Sequence, residues 1–367
     1  MATVNNNTPT LRFPEFKEEW ENTKLGKVAK FSKGKGISKS EISEYGINEC
    51  IRYGELYTRY GEVIQDVFSK TNADINKSVV SEANDVIIPA SGETQIDIAT
   101  ASCVMKSGVI LGGDLNIIKT NKNGVFLSYY LNSKRKLDIA NLAQGISVVH
   151  LYSSQLALLN LNFPTLPEQQ KIATFLTAVD EKLQVLKQKK SLLEQYKKGV
   201  MQKIFSQELR FKDDNGNEFA DWEEKKLGEI SRITTGSSNR EDSNLDGKFT
   251  FFDRSQDIRS SNRFLFDAEA IIIPGEGQEF IPEYFIGKFD LHQRTYAIMD
   301  IEPNNGKFLF YYIIFNSNHL NSHAVGSTVK SLRLPMFEKM PIKLASQEEQ
   351  TKIANFLSAI DEKINQC

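Results

Sequence analysis

Lysines set around glycines suit an approach to phosphate, because glycine lets the backbone come close while the ammonium groups neutralise charge. The stretch KFSKGKGISKS (30–40) has this composition, with Lys30, Lys33, Lys35 and Lys39 beside Gly34 and Gly36. IRYGELYTRYG (51–61) follows with Arg52, Tyr53, Tyr57, Arg59 and Tyr60, a basic and aromatic mixture suited to a groove. The competing reading is a solvated loop and a strand with core tyrosines, and the residues alone favour it. A second concentration begins at TTGSSNREDSN (234–244), with Arg240, and continues through Arg254, Arg259, Arg263, His292, Gln293 and Arg294. Asp242, Asp253 and Asp257 are interleaved with these cations and compete for them.

Catalytic constellations are missing. No G-x-x-x-x-G-K-[ST], no N-P-P-[FY] and no G-x-S-x-G occurs. PGEGQEF (274–280) lacks the third glycine of a dinucleotide fingerprint and reads as a turn after a strand. His319 and His323 stand at helical spacing, but no Glu lies between them and no third ligand is near in sequence. Cys50, Cys103 and Cys367 are far apart with no CxxC spacing, which fits a reducing compartment. No intrinsic enzymatic activity and no metal are expected.

The elements that hold these residues are organised by a repeat. EQQKIATFLTAVDEKL (168–183) returns as EQTKIANFLSAIDEKI (349–364), identical at 11 of 16 positions with a constant offset of 181. From Glu168 to Lys198 there is neither Gly nor Pro. Apolar residues recur at Ile172, Leu176, Val179, Leu183, Leu186, Leu193, Val200 and Ile204, intervals that alternate four and three once Lys190 and Lys197 fill the two gaps, the seam of a coiled coil. A helix over about 168–207 would be roughly 60 Å long. Ile353, Leu357, Ile360 and Ile364 repeat the phase, so the second seam is the expected partner of the first. Two unrelated helices, each capping its own domain, are the weaker reading. A second helix as long as the first would run to about residue 388, about 21 residues past Cys367, so a shortened coiled coil is expected.

Leu11-Arg12-Phe13, Trp20 and Leu25-Gly26 are echoed by Leu209-Arg210-Phe211, Trp222 and Leu227-Gly228. The repeated unit is thus a leading segment, a variable domain and a long helix. The variable parts, about 20–165 and 222–345, are rich in short β-type runs. NDVIIPASGE and EAIIIPGEGQ match as strand, Pro and turn, and KFTFFD (248–253) adds another apolar run, while GVFLSYYLNSK (124–134) and GKFLFYYIIF (306–315) suit strand or helix.

This pattern resembles the specificity subunit of type I restriction-modification systems over essentially the whole chain. The resemblance rests on the helix signature P-x-E-Q-x-x-I-A-x-x-L-x-x-x-D, present as LPEQQKIATFLTAVD (166–180) and QEEQTKIANFLSAID (347–361), with Glu348 where the first copy has Pro167. GISVVHL (145–151) and GSTVKSL (326–332) resemble the family's Gly-Ser/Thr loop at the same offset, and HQRT (292–295) is typical of these domains, although LGGDL (111–115) takes its place in the first.

The fold it implies is α+β: two mixed α/β target-recognition domains joined by two long antiparallel coiled-coil helices, with a pseudo-two-fold internal repeat. The expected divisions are a first recognition domain at 1–165, a central helix at 166–208, a second recognition domain at 209–346 and a shortened helix at 347–367. Each domain is expected to read one half of a split double-stranded DNA target, with the helices fixing the gap. Two methyltransferase subunits carrying S-adenosylmethionine would dock around them for adenine-N6 methylation, and two restriction subunits using ATP and Mg would then join.

In that frame Lys33, Lys35, Lys39, Arg52, Tyr57, Arg59, Arg240, Arg254, Arg259, Arg263, His292 and Arg294 become candidate DNA contacts. Arg is the commonest reader of guanine, and Asn or Gln suits adenine. Ser147, His150, Thr328 and Lys330 on the two Gly-Ser/Thr loops join them, the alternative being ordinary turns. Between Leu183 and Gln207 six lysines face one acid, Glu194; they form a solvated helix face or meet spacer phosphates or an acidic partner.

Net charge of −2 argues against a nucleic-acid protein only weakly, because a local basic face suffices. The polar N-terminus MATVNNNTPT and the absence of a long apolar run give no expectation of a membrane span and point to a cytoplasmic location. A coiled-coil scaffold joining two protein-binding modules is the rival from another class. It explains the helices but not the cation and glycine loops. A subunit serving methylation alone is a third reading.

Overall fold

In a computed structural model, residues 9–255 and 259–367 are described. They form two compact units that meet between Leu183 and Gln184, inside the central helix Leu166–Phe205.

The first unit is built on a five-stranded sheet ordered Ala29–Lys33, Leu115–Thr120, Asp85–Pro89, Ser102–Val104, Val63–Ile64, antiparallel except for the last pair. Alternation along the DVIIP strand divides the core. Val86 and Ile88 pack with Phe126, Leu127 and Leu131 of the helix Gly124–Asn132, whereas Ile87 packs with Ile51 and Leu111 of a second, three-stranded sheet. In the second unit a six-stranded sheet runs Arg232–Thr235, Thr295–Met299, Phe266–Pro274, Glu283–Leu291, Phe249–Phe252, Arg259–Ser261. Ile271 and Ile273 face the main core, and Ala270 and Ile272 face a smaller one with Phe289 and Leu291.

The two ambiguous aromatic runs are both helices, Gly124–Asn132 and Gly306–Phe315. The deciding residue precedes each run. Asn123 and Asn305 cap the helices by accepting from Phe126 N (2.8 Å) and Phe308 N (3.0 Å). The strand readings of VIIP and KFTFFD stand, as Asp85–Pro89 and Phe249–Phe252.

The signature residues Glu-Gln at the start of each long helix are buried, and each is fully employed. Glu168 accepts from Arg12 Nε (2.6 Å), Arg12 Nη2 (2.7 Å) and Trp20 Nε1 (3.3 Å). Glu349 repeats the clamp with Arg210 Nε (3.2 Å), Arg210 Nη2 (2.8 Å) and Trp222 Nε1 (2.9 Å). Gln169 accepts the Asn123 N–H (2.9 Å) and donates to Pro164 O (2.7 Å); Gln350 does the same with Asn305 N (2.8 Å) and Ala345 O (2.8 Å). One turn of helix therefore grips the leading segment on one side and the domain helix on the other.

Helix lengths and covering differ from the expected continuous seam. The central helix begins at Leu166, where it was expected, and ends at Phe205, just before Gln207 turns to φ 64°. The second long helix is Gln347–Asn365, 19 residues or roughly 28 Å. Its Ile353, Leu357 and Ile360 are buried in one core with Met201, Ile204 and Phe205, and Ile364 packs at the edge of that core. Pairing is thus built on the last turns of the central helix. Leu186 and Leu193 are half-buried, while Val179 and Leu183 are 40% and 47% exposed.

Among the described residues no helix is long and apolar enough to cross a membrane. Replacing Glu349 by Ala leaves the Arg210 guanidinium and the Trp222 indole without their buried acceptor, a loss of about 3 kcal/mol. Denaturant unfolding followed by Trp emission should show it. Lys225→Ala, which breaks an exposed pair with Glu223, should change stability by less than about 0.5 kcal/mol in the same assay.

Candidate nucleic-acid interface

In the second unit the structure gathers the nominated residues from five stretches of chain. The Ser238 loop lies against the 290–294 turn: Gly236 N donates to His292 O (3.3 Å), Gln293 N to Ser238 O (3.0 Å), and Gln293 Nε2 to Asn239 Oδ1 (2.6 Å). Gly236 is required there, since a Cβ would stand 1.6 Å from Leu291 O. Next to it the arginines are aimed by acids. Arg240 Nη1 meets Asp253 at 2.8 Å, and Arg263 reaches Asp290 (3.4 Å), Asp242 (3.4 Å) and Ser238 Oγ (2.7 Å). Arg259 Nε donates to Ser243 Oγ (2.6 Å). Arg254 and Arg294 share Glu276, at 3.0 Å and 2.7 Å.

Asp290 and Asp253 are almost fully buried, and a buried carboxylate is stable only when paired. Their guanidinium partners keep about half their side-chain surface exposed, 53% for Arg263 and 48% for Arg240. Each arginine is therefore held at one edge and open at the other. The Arg294 hydrogen bond, with Arg254 behind it, holds the Glu276 carboxyl below its ordinary range. His292 Nδ1 accepts the Arg294 N–H (3.1 Å), and burial lowers its pKa, so the ring is neutral at pH 7.

The Gly326 loop completes this face. Glu276–Gly277 pairs with Lys330–Ser331, and Gln278 Nε2 donates to Thr328 O (3.2 Å). Val325 and Ser331 exchange backbone hydrogen bonds of 3.0 and 2.8 Å, closing a hairpin turned by Gly326 at φ 122°.

The first unit uses the same frame with different chemistry. Gly34 N donates to Leu115 O and Lys35 N to Leu111 O, both 3.0 Å, so the lysine loop lies on LGGDL where the second unit has HQRT. Gly34 does not serve the expected approach to phosphate. A Cβ on it would fall 1.9 Å from Gly112 O, so this glycine serves loop-on-loop packing; only at Gly36 does the backbone open to free space. Lys35 Nζ is occupied by Lys77 O (2.7 Å). Lys30, Lys33 and Lys39 have no acidic partner among the described residues.

Gly112 N donates to Ile51 O (2.9 Å), which brings Arg52 to the same hub, and its Nε is buried without a hydrogen-bond partner. Tyr57 is half-buried, with its phenol pKa raised by burial. Arg59 sits over the Phe68 ring at 6.0 Å. Ser91–Gly92 pairs with Val149–His150, the His150 ring stacks on Tyr152 at 6.5 Å, and Ser147 stands exposed in the loop begun by Gly145 (φ 126°).

No sequence signal marks Asp290 and Glu276 as arginine partners, nor Ile146, which is 99% exposed in the first loop. Asp257 lies outside the described residues. His319 and His323 stack at 4.2 Å, and among the described residues no group of three or more His, Cys, Asp or Glu could hold a metal ion.

Both faces lie in stretches that match the profile of the type I restriction modification DNA specificity domain, at residues 17–195 and again at 220–366. The chain belongs to this family. It is a type I specificity subunit with two DNA specificity domains. It is 24% identical over 408 residues, covering 96% of this chain and 88% of the other, to the type I restriction enzyme MjaVIII specificity subunit of Methanocaldococcus jannaschii. Over 140 residues it is 31% identical to the EcoDI specificity subunit of Escherichia coli, an overlap of 38% of this chain and 31% of that one. Its fold is similar to that of the type I restriction-modification S subunit from M. genitalium, with a TM-score of 0.71, 17% identity and coverage of 98% and 93%.

The glycine at the head of each hairpin gives this specificity subunit a direct structural test. A methyl group at Gly326 would meet Val329 O at 2.2 Å in a conformation that alanine resists. Gly326→Ala should cost about 1–3 kcal/mol, localised to the hairpin. Amide exchange would show protection lost at Val325 and Ser331 while Trp222 emission is unchanged.

Proposed function

We propose that this subunit reads a bipartite, asymmetric DNA target and directs adenine-N6 methylation and restriction carried out by partner chains. The carrying observation is that two units of unlike sequence hang comparable loops on the same Glu-Gln clamp, one presenting lysines and glycines, the other acid-aimed arginines. Unlike readers on a repeated frame call for two unlike half-sites, since half-site arrangement mirrors protein symmetry. The half-sites should lie about one helical turn apart.

In this reading Lys33, Lys39, Ser147 and His150 meet the first half-site, and Arg240, Arg254, Arg259, Arg263, His292, Arg294, Thr328 and Lys330 meet the second. Lys35, Arg52, Tyr57 and Arg59 sit behind or beside the first contact surface. Lys187, Lys189 and Lys190, on the exposed middle of the central helix, suit the phosphates of the spacer. Two methyltransferase subunits bind S-adenosylmethionine, two restriction subunits use ATP and Mg, and this chain contributes no catalytic group.

Mapping methylated adenines in a methylation-free host that expresses this chain with its methyltransferase subunit tests the reading. A two-part motif with a fixed gap is expected. If the complex methylates without sequence preference, the recognition assignment is wrong. Arg294→Ala should relax one half of the motif only, reducing discrimination there by about 1–3 kcal/mol, because Arg254 still holds Glu276 in place. Reversing Lys187, Lys189 and Lys190 should weaken binding on all sequences alike and flatten its salt dependence by about one unit of slope for each phosphate no longer neutralised.

A further inference from the structure

The two Gly-Ser/Thr hairpins are built alike and end in different chemistry. Each is turned by a glycine at positive φ, Gly145 at 126° and Gly326 at 122°, where a Cβ would fall 2.1 Å from Val148 O and 2.2 Å from Val329 O. Each is closed by two backbone hydrogen bonds, Gln144 N to His150 O (2.9 Å) and His150 N to Gln144 O (2.7 Å) in the first, Val325 with Ser331 in the second. Val148 and Val329 are half-exposed in both, at 51% and 52%. The difference lies directly after the glycine, where the second hairpin has Ser327 and the first has Ile146.

Ile146 is 99% exposed, more than any other large apolar side chain among the described residues. It contributes nothing to the core, since stabilisation follows the apolar area removed from water. Nor does the turn require it, because the second hairpin closes with a serine at the same place. An apolar group is thus held in water on a rigid turn with no structural return.

The hairpin rises from the end of the sheet at which the lysine loop begins. Val149 and His150 pair with Gly92 and Ser91, Leu151 N donates to Ala90 O (2.9 Å), and Asn116 Nδ2 donates to Leu151 O (2.9 Å). Asn116 is also the strand partner of Lys33, a cation with no acidic partner among the described residues. Because Val149–His150 runs antiparallel to Ser91–Gly92, residues 145–148 continue past Gly92, beyond the strand end.

We propose that Ile146 is a specificity-determining residue that packs on a thymine methyl group in the first half-site, a step that rests on the DNA-reading function proposed above. The C5-methyl of thymine is the apolar feature among the base edges of the major groove, and that groove is wide enough for a two-stranded β-ribbon. A protein partner would be expected to cover a broad apolar patch. Around this tip Gln144, Ser147 and His150 are exposed instead, so one apolar contact is set among hydrogen-bonding groups, as base-edge reading needs.

The test uses the chain assembled with its methyltransferase subunit, and duplexes carrying the motif found by mapping methylated adenines. Each thymine on either strand is replaced in turn by deoxyuridine, which removes only the methyl group. At one position binding should weaken about fourfold, the worth of one buried methyl. Ile146→Ser, which copies the second hairpin, should weaken binding to the intact duplex and abolish the methyl effect at that position. Amide protection of His150 should be unchanged by it, which separates a lost contact from a lost hairpin. Equal affinity for all the deoxyuridine duplexes overturns the proposal and leaves the two-part reading intact, as do methyl effects that all persist in Ile146→Ser. A complex without sequence preference overturns both. Loss of the methyltransferase subunit from the Ile146→Ser complex would assign the tip to a protein contact and reject the thymine.

Discussion

A carboxylate taken out of water must find cations or hydrogen-bond donors, and Glu168 and Glu349 are 0% exposed. This constraint organises both halves of the molecule. Each acid draws an arginine and a tryptophan from a segment well over a hundred residues away in sequence, which anchors the start of each unit to the start of its long helix. The neighbouring glutamine, equally buried, holds the N–H of the asparagine that caps the domain helix and a carbonyl that precedes its own helix. Without the acid the leading segment has no fixed seat; without the amide the domain helix has no fixed start. The variable sheets can then diverge in sequence because their orientation to the long helix is set at these two residues.

The same electrostatic logic recurs on the arginine cluster of the second unit with a different consequence. A free arginine samples many rotamers, and ordering it on a ligand costs side-chain entropy. Asp253, Asp290 and Glu276 remove much of that freedom in advance while leaving the outer edges of their arginines in water. The first unit takes the opposite course. Its lysines are mostly unpaired, and its glycines bring two backbone loops together, so its surface is preorganised by main chain rather than by ion pairs. Two units with one frame thus present chemically different faces.

The repeat, the two units, the helix signature and the strand-Pro-turn pairs are legible in the sequence because each is carried by residues adjacent along the chain. The aromatic runs are ambiguous there because periodicity alone does not separate a ten-residue buried helix from a strand; one asparagine at each N-cap decides it. The acids that aim the arginines are legible only in part. Asp242 and Asp253 lie near their partners in sequence, whereas Asp290 lies 27 residues from Arg263 and 52 from Ser238 and becomes a neighbour only through the sheet. The role of Gly34 is hidden for a similar reason, since the carbonyl that forbids its side chain belongs to Gly112.

Burial is the property that a repeated sequence conveys least. Val179 and Ile360 occupy the same position of the same motif, yet one is 40% exposed and the other 6%. The motif specifies an apolar stripe with an acid beside it, and that stripe is satisfied only by a second helix carrying complementary residues. In the second unit the complement is Lys197 to Phe205, already attached through the central helix, so helix, clamp and sheet close into a single core. In the first unit the matching stripe keeps its tyrosine–aspartate pair, while Val179 stays 40% exposed. The repeated sequence thus specifies the stripe, and the tertiary neighbours of each copy decide how far it is buried.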